Sequence, residues 1–151
     1  MREIIHRYKY DQHEFFEPFL KQCCLQATLP PSTAYTALIP IPLHPTKERE
    51  RGFNQADPLA AFFAELFDIP INAGLLKRVP FTETQTHLSR SQRLRNLRGA
   101  FVCSNSQCED SFLLVDDVMT TGATANAAAH ALKKNGAQQV DVLTLARALP
   151  F

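Results

Sequence analysis

The stretch Phe112–Thr124, FLLVDDVMTTGAT, constrains this chain more than any other. Phe112, Leu113, Leu114 and Val115 form an unbroken apolar run, as expected of a parallel strand buried on both faces. Two carboxylates, Asp116 and Asp117, follow at once, and then a small, hydroxyl-rich turn from Thr120 to Thr124. A helical run from Ala125 to Asn135 closes at Gly136, a residue suited to a helix C-terminus. The order is buried strand, loop, helix N-terminus. In open α/β sheets ligands bind beyond the carboxyl ends of the strands. The stretch therefore predicts a binding site as well as a fold class.

Its chemistry narrows the ligand. The first turn of a helix offers unpaired N–H groups and the positive end of the helix dipole, which together seat a phosphate. Small residues let the backbone approach the anion, and threonine hydroxyls add donors. Each charge-assisted hydrogen bond is worth ~1.5–3 kcal/mol. Asp116 and Asp117 would repel that phosphate, but they suit neighbouring hydroxyls or a Mg²⁺ ion. A ligand with a phosphate at one end and a diol close by, such as a ribose 5-phosphate, satisfies both halves. The plainer reading is an acidic strand end followed by an ordinary helix cap. Neither G-x-x-x-x-G-K-[ST] nor G-x-G-x-x-G occurs, since the five glycines stand far apart.

The run Val115–Thr124, VDDVMTTGAT, resembles the phosphoribosyl-pyrophosphate (PRPP) binding motif of type I phosphoribosyltransferases. The resemblance implies an α/β fold with a parallel sheet flanked by helices and a flexible loop or hood. It implies that Asp116 and Asp117 are the catalytic pair and hold the ribose 2- and 3-hydroxyls. It puts the 5-phosphate on Thr120, Thr121, Gly122, Ala123 and Thr124, with Mg²⁺ as cofactor and no direct protein ligand assigned to it. Two further segments are similar to the ComF family, competence-associated, phosphoribosyltransferase-like proteins of bacteria. One is PIPLHPTKERERGFNQA, Pro40–Ala56; the other is TQTHLSRSQRLRNLRGAF, Thr84–Phe101. The three motifs together span roughly residues 35–147. ComF proteins often begin with a small cysteine zinc module, and this chain is expected to start just after it, near Ile4–Tyr10.

The length of 151 residues suits one domain with a single core, taken here as residues 1–151. The net charge of +1 does not advertise a polyanion partner for the molecule as a whole. No apolar run approaches a membrane span, and the N-terminus lacks a signal-peptide pattern, so a cytoplasmic location and no membrane partner are expected. Cys23, Cys24, Cys103 and Cys108 form no C-x-x-C pair; buried thiols are expected rather than zinc ligands.

Along the chain, Asp11 and Glu14 form a capping box before an aromatic helix face. Tyr35 to Pro42 reads as the first core strand, limited by Pro40 and Pro42. Leu43 to Gln55 reads as a charged loop. Asn54 or Asp57 then caps a helix that buries Leu59, Ala60, Phe62, Phe63, Leu66 and Phe67. Leu75 to Val79 is a short strand candidate, Ala100 to Cys103 another, and Val140 to Ala146 the last strand. Ala127, Ala128, Ala131 and Leu132 are the expected inner face of the helix behind the acids. Strands alternating with helices predict parallel pairing.

Charge is uneven. From Lys77 to Arg98 there are six Lys or Arg residues against Glu83, a local charge of +5. Arg90, Arg93 and Arg98 fall where the resemblance implies a catalytic loop or hood. His44, Lys47, Arg49 and Arg51 fall where it implies a pyrophosphate loop. The loop set also reads as a solvated charge run, and the hood set as a surface helix. Residues 80–95 are expected to act as a lid that closes over bound PRPP; the alternative for the same stretch is contact with single-stranded DNA. The functional expectation is a Mg²⁺-dependent phosphoribosyltransferase using PRPP and an unidentified nitrogen acceptor. The alternative is a non-catalytic PRPP-binding component that acts with competence-machinery proteins in DNA uptake.

Overall fold

The computed structural model describes residues 18, 22–30, 34–79, 99–104 and 110–147. Three strands, β1 (Ala37–Pro40), β4 (Ser111–Met119) and β5 (Gln139–Arg147), form a parallel sheet in the order β1-β4-β5. Residues 70–72 extend it past β1. There Leu38 N donates to Pro70 O at 2.8 Å and Asn72 N donates to Leu38 O at 2.9 Å. Helix α2 (Ala56–Phe67) leads from β1 to that segment, and helix α3 (Ala123–Lys134) leads from β4 to β5. The expected parallel α/β architecture is present.

Apolar residues on neighbouring strand positions point to opposite faces, and this builds two cores on one sheet. Ala37, Ile39, Phe112 and Leu114 face one layer with Ala127, Ala128, Ala131 and Leu132 of α3. Leu38, Leu113 and Val115 face the other, with Leu59, Ala60 and Phe63 of α2, and with Cys24 and Tyr35. The alanine face of α3 lets that helix lie close to the strands. In the second layer Phe63 and Phe67 stack at 5.8 Å between ring centroids. Tyr35, otherwise buried, directs its hydroxyl to Asp141 Oδ2 at 2.7 Å.

A separate antiparallel ribbon, β2 (Leu76–Arg78) with β3 (Phe101–Cys103), packs on the α3 side. Both strands lie where the sequence places them, but they leave the main sheet. Its place beyond β1 is taken by residues 70–72, a contact the sequence reading missed.

Three further expectations are corrected. The stretch Leu43–Gln55 is not all loop: Pro45–Arg51 forms helix α1. His44 is its N-cap, with Nδ1 accepting from Thr46 N at 3.3 Å, and Pro45 suits the first turn. Gly52, at φ 80°, closes it by donating its N–H to Glu48 O at 2.8 Å. The helix has no buried residue, so it left no apolar period to read. Leu66 is 37% exposed, whereas Phe63 is 1% exposed, so the inner face of α2 is narrower than expected. Finally, β4 does not stop at Val115. It runs through both acids to Met119, with Asp116 opposite Thr144 of β5.

Asn54, one of two cap candidates, accepts from Ala56 N through Oδ1 at 3.4 Å. Its Nδ2 donates to Ile41 O at 3.2 Å and to Asp57 Oδ1 at 3.0 Å. It thus ties the start of α2 to the end of β1. Cys24 is buried, as expected, while Cys23 and Cys103 are half-buried. Cys108, the capping box at Asp11 and the aromatic face behind it lie outside the described residues.

Candidate functional site

The carboxyl end of the central strand carries the acids. Pro40 lies opposite Val115 in register, and Ile41 N donates to Val115 O at 2.9 Å. The segment leaving β1 therefore starts beside Asp116. Each acid is held by the backbone that follows it: Asp117 N donates to Asp116 Oδ1 at 2.9 Å, and Val118 N donates to Asp117 Oδ1 at 2.8 Å. Asp117 is buried and Asp116 half-buried. Alternation along β4 puts Asp116 on the side of Phe112 and Leu114, which is also the side of the β2–β3 ribbon.

The turn that follows is built for close approach. Gly122 adopts φ 74° and ψ 3° immediately before α3, a left-handed conformation that strains any residue with a Cβ. Thr121 Oγ1 accepts from Ala123 N at 3.3 Å, and the helical ladder then begins with Asn126 N donating to Gly122 O at 2.8 Å. Thr120 and Thr121 are exposed, and Gly122, Ala123 and Thr124 half-buried. The fold thus brings the five residues of the expected phosphate seat to one helix N-terminus, directly after the acid pair.

The basic candidates are distributed differently. His44 caps α1 through Nδ1. Arg51 Nη1 donates to Gln55 Oε1 at 2.7 Å and so braces a buried side chain. Lys47 and Arg49 are exposed on α1. Arg90, Arg93 and Arg98, and the whole of the expected lid over residues 80–95, lie outside the described residues.

A pocket of about 410 Å³ opens between the β1–α1 segment and the ribbon, lined by Pro40, Pro42, Leu43, Pro45, Glu48, Asn54, Asp57, Ala73, Leu76, Lys77 and Arg78. None of His44, Lys47, Arg49 and Arg51 is among its lining residues; α1 turns Pro45 and Glu48 to it. Its cations come from β2 instead. Arg78 was missed in the sequence, although the alternation of Leu75–Val79 puts it on the same side as the buried Leu76. Burial lowers the Arg78 pKa, and the nearby Asp116 charge partly offsets this. Across the pocket the Asp57 carboxyl sits above its ordinary pKa because of burial and the Glu48 charge, with the Asn54 hydrogen bond opposing.

No group of three metal-ligating side chains occurs among the described residues. Nor is any described helix long and apolar enough to cross a membrane.

The geometry agrees with the likeness of this chain to known proteins. It is 42% identical over 115 residues to competence protein F of Haemophilus influenzae, covering 74% of this chain and 50% of that protein. It is 32% identical over 151 residues to the DNA utilization protein YhgH of Salmonella typhimurium, covering 97% and 66%. It is 33% identical over 150 residues to competence protein ComFC of Bacillus subtilis, covering 97% and 60%. The chain belongs to the ComF family. It spans between 50% and 66% of the length of these three relatives. No protein-family model matches.

Among solved structures, glutamine PRPP amidotransferase from B. subtilis, complexed with ADP and GMP, matches with a TM-score of 0.55 at 18% identity, covering 85% of this chain and 26% of that one. An allosteric regulatory enzyme of purine biosynthesis matches with a TM-score of 0.55 at 17% identity, covering 88% and 26%. These likenesses show the fold: the ComF chain has the type I phosphoribosyltransferase architecture.

Proposed function

We propose that this chain binds PRPP and transfers its phosphoribosyl group to a nitrogen acceptor. The observation that supports this most is the acid pair at the carboxyl end of the central parallel strand, followed without interruption by a glycine-capped helix N-terminus. In this reading Asp116 and Asp117 accept hydrogen bonds from the ribose hydroxyls. Thr120–Thr124 receive the 5-phosphate through amide and hydroxyl donors. Breaking the C1–O bond to pyrophosphate leaves positive charge on the sugar, and fixed carboxylates beside it lower the cost of that charge. Adjacent carboxylates at the strand end also provide the hard oxygen donors that suit Mg²⁺ shared with the sugar hydroxyls. Bound there, Mg²⁺ would neutralise charge on the leaving pyrophosphate.

A second reading keeps the pocket and drops the turnover, with PRPP binding serving an interaction in DNA uptake. The names of the relatives, competence and DNA utilization proteins, favour it. PRPP consumption with pyrophosphate release, assayed with Mg²⁺ and a panel of nitrogen acceptors, separates the two. For either, the D116A/D117A double variant is expected to lose PRPP binding in calorimetry while retaining its circular dichroism spectrum. Unchanged affinity in that variant would remove the acids from the site.

A further inference from the structure

The α2 side of the sheet carries a cavity of about 250 Å³ whose wall includes both members of the adjacent pair Cys23-Cys24. Phe63 of α2, Leu143 and Leu145 of β5, and Ala27 make that wall mostly apolar, and all four belong to the second core. Adjacent residues within a helix do not face each other. Here the helical turn ends at Cys24, and both thiols line one cavity. Cys23 is half-buried and Cys24 is 3% exposed, so solvent reaches the first thiol and hardly the second. Burial and the neighbouring Cys23 push the Cys24 pKa up to about 11, so at neutral pH Cys24 is protonated and inert as a lone nucleophile. A direct bond between the two sulfurs is disfavoured: neighbouring Cα atoms stand about 3.8 Å apart, and disulfides take separations of ~4.4–6.8 Å. Structural zinc takes four ligands, and no group of three metal-ligating side chains occurs among the described residues. What two adjacent thiols can do is share one soft atom.

We propose that Cys23 and Cys24 form a two-thiol site for a trivalent arsenical, with its organic substituent in the cavity against Phe63, Leu143 and Leu145. Cys23, the more exposed thiol, bonds first. Cys24 then closes the ring within the same molecule, where a high effective concentration makes up for its low ionised fraction. In the hydrated reagent two As–O bonds break and two S–As bonds form. The two thiol protons leave with the two displaced hydroxides as water, arsenic stays trivalent, and neither sulfur is oxidised. Both thiols end in covalent bonds, so the product is neutral, as an apolar cavity requires. A monovalent soft ion held by two thiolates would instead leave a negative charge there, at the cost that burial already imposes on the Cys24 thiolate.

Phenylarsine oxide is the probe, added to the full chain carrying C103S and C108S so that Cys23 and Cys24 are the remaining thiols. Native mass spectrometry is expected to show one arsenical per chain, retained in excess β-mercaptoethanol and released by dithiothreitol. Adding C23S or C24S should lower the apparent affinity by about a hundredfold or more, since the second bond is lost. Because the cavity exists in the folded chain, the arsenical should also raise the midpoint of urea unfolding. A parent that takes no arsenical, or two per chain, overturns the proposal, as does a folded C23S or C24S chain that keeps the parent's affinity. An adduct that lowers the urea midpoint or leaves it unchanged overturns it too, because the thiols would then react as well in the unfolded chain as in the folded one. If C24S does not unfold cooperatively, C23S, a change at the half-buried position, decides by the same criteria.

Discussion

Asn54 and Cys24 show how much of this chain is set by single buried groups. Asn54, read from the sequence as a candidate helix cap, accepts from Ala56 N at the start of α2 and also donates to Ile41 O, so one side chain joins β1 to α2. Cys24 is an expected buried thiol with a measurable consequence. Burial first, and the neighbouring Cys23 second, push its pKa from the ordinary 9.0 up to about 11. Below pH 9 the thiol is protonated in both folded and unfolded chains. Between those values the unfolded chain releases the proton and the folded chain keeps it, so stability falls as pH rises. A shift of that size corresponds to roughly 3 kcal/mol in full, of which the part falling between pH 9 and 11 is about 2 kcal/mol. Urea unfolding of the parent should therefore lose about that much between pH 9 and 11, beyond the loss seen in C24A. Parallel pH profiles for the two proteins would show that the thiol titrates normally.

At the scale of elements, the helices differ in what holds them. Helix α1 depends on its ends, His44 and Gly52, because it buries nothing. Helix α2 depends on one face. Phe63 is enclosed by the second core and stacks on Phe67, while Leu66 faces outward. Truncating a buried phenylalanine costs ~3–5 kcal/mol through lost transfer energy and an unfilled cavity. F63A is expected to lose that much in chemical denaturation, and L66A less than about 1 kcal/mol. Comparable losses would mean that both residues are enclosed. Strand β4 draws order from both neighbours, which is why it carries two acids to its end without breaking. Its ladder to β5 continues to Met119 and Arg147.

For the molecule as a whole, the central fact is that both cores share β4. Leu114 packs toward α3, and Leu113 and Val115 pack toward α2. Damage on one side should be felt on the other, since the strand cannot leave one layer and keep the other. L114A, on the α3 side, is expected to speed hydrogen exchange of α2 amides together with those of α3 under conditions where exchange reports global opening. Faster exchange confined to α3 would show that the two layers open independently. The same shared strand positions the candidate site. The acids stand in its carboxyl-terminal half, α3 starts after a three-residue turn, and the pocket opens where β1 stops beside it.

The parallel α/β class, the acid pair on the central strand and the glycine turn before α3 were legible in Phe112–Thr124 because all three are local. Four apolar residues report burial on both faces, and a glycine between threonines reports the turn that Gly122 makes at φ 74°. The family was legible for the same reason, through motifs read in order along the chain. What the tertiary structure decided depends on which segments meet. A surface helix stabilised by caps leaves no apolar period, so α1 looked like loop. Residues 70–72 join the sheet through two backbone hydrogen bonds that leave no side-chain signature. The cations of the pocket are Lys77 and Arg78 rather than the loop set of His44, Lys47, Arg49 and Arg51. A basic residue in sequence declares only its charge; whether that charge faces water or a pocket follows from the register of β2 on β3, which sets Arg78 against Phe101.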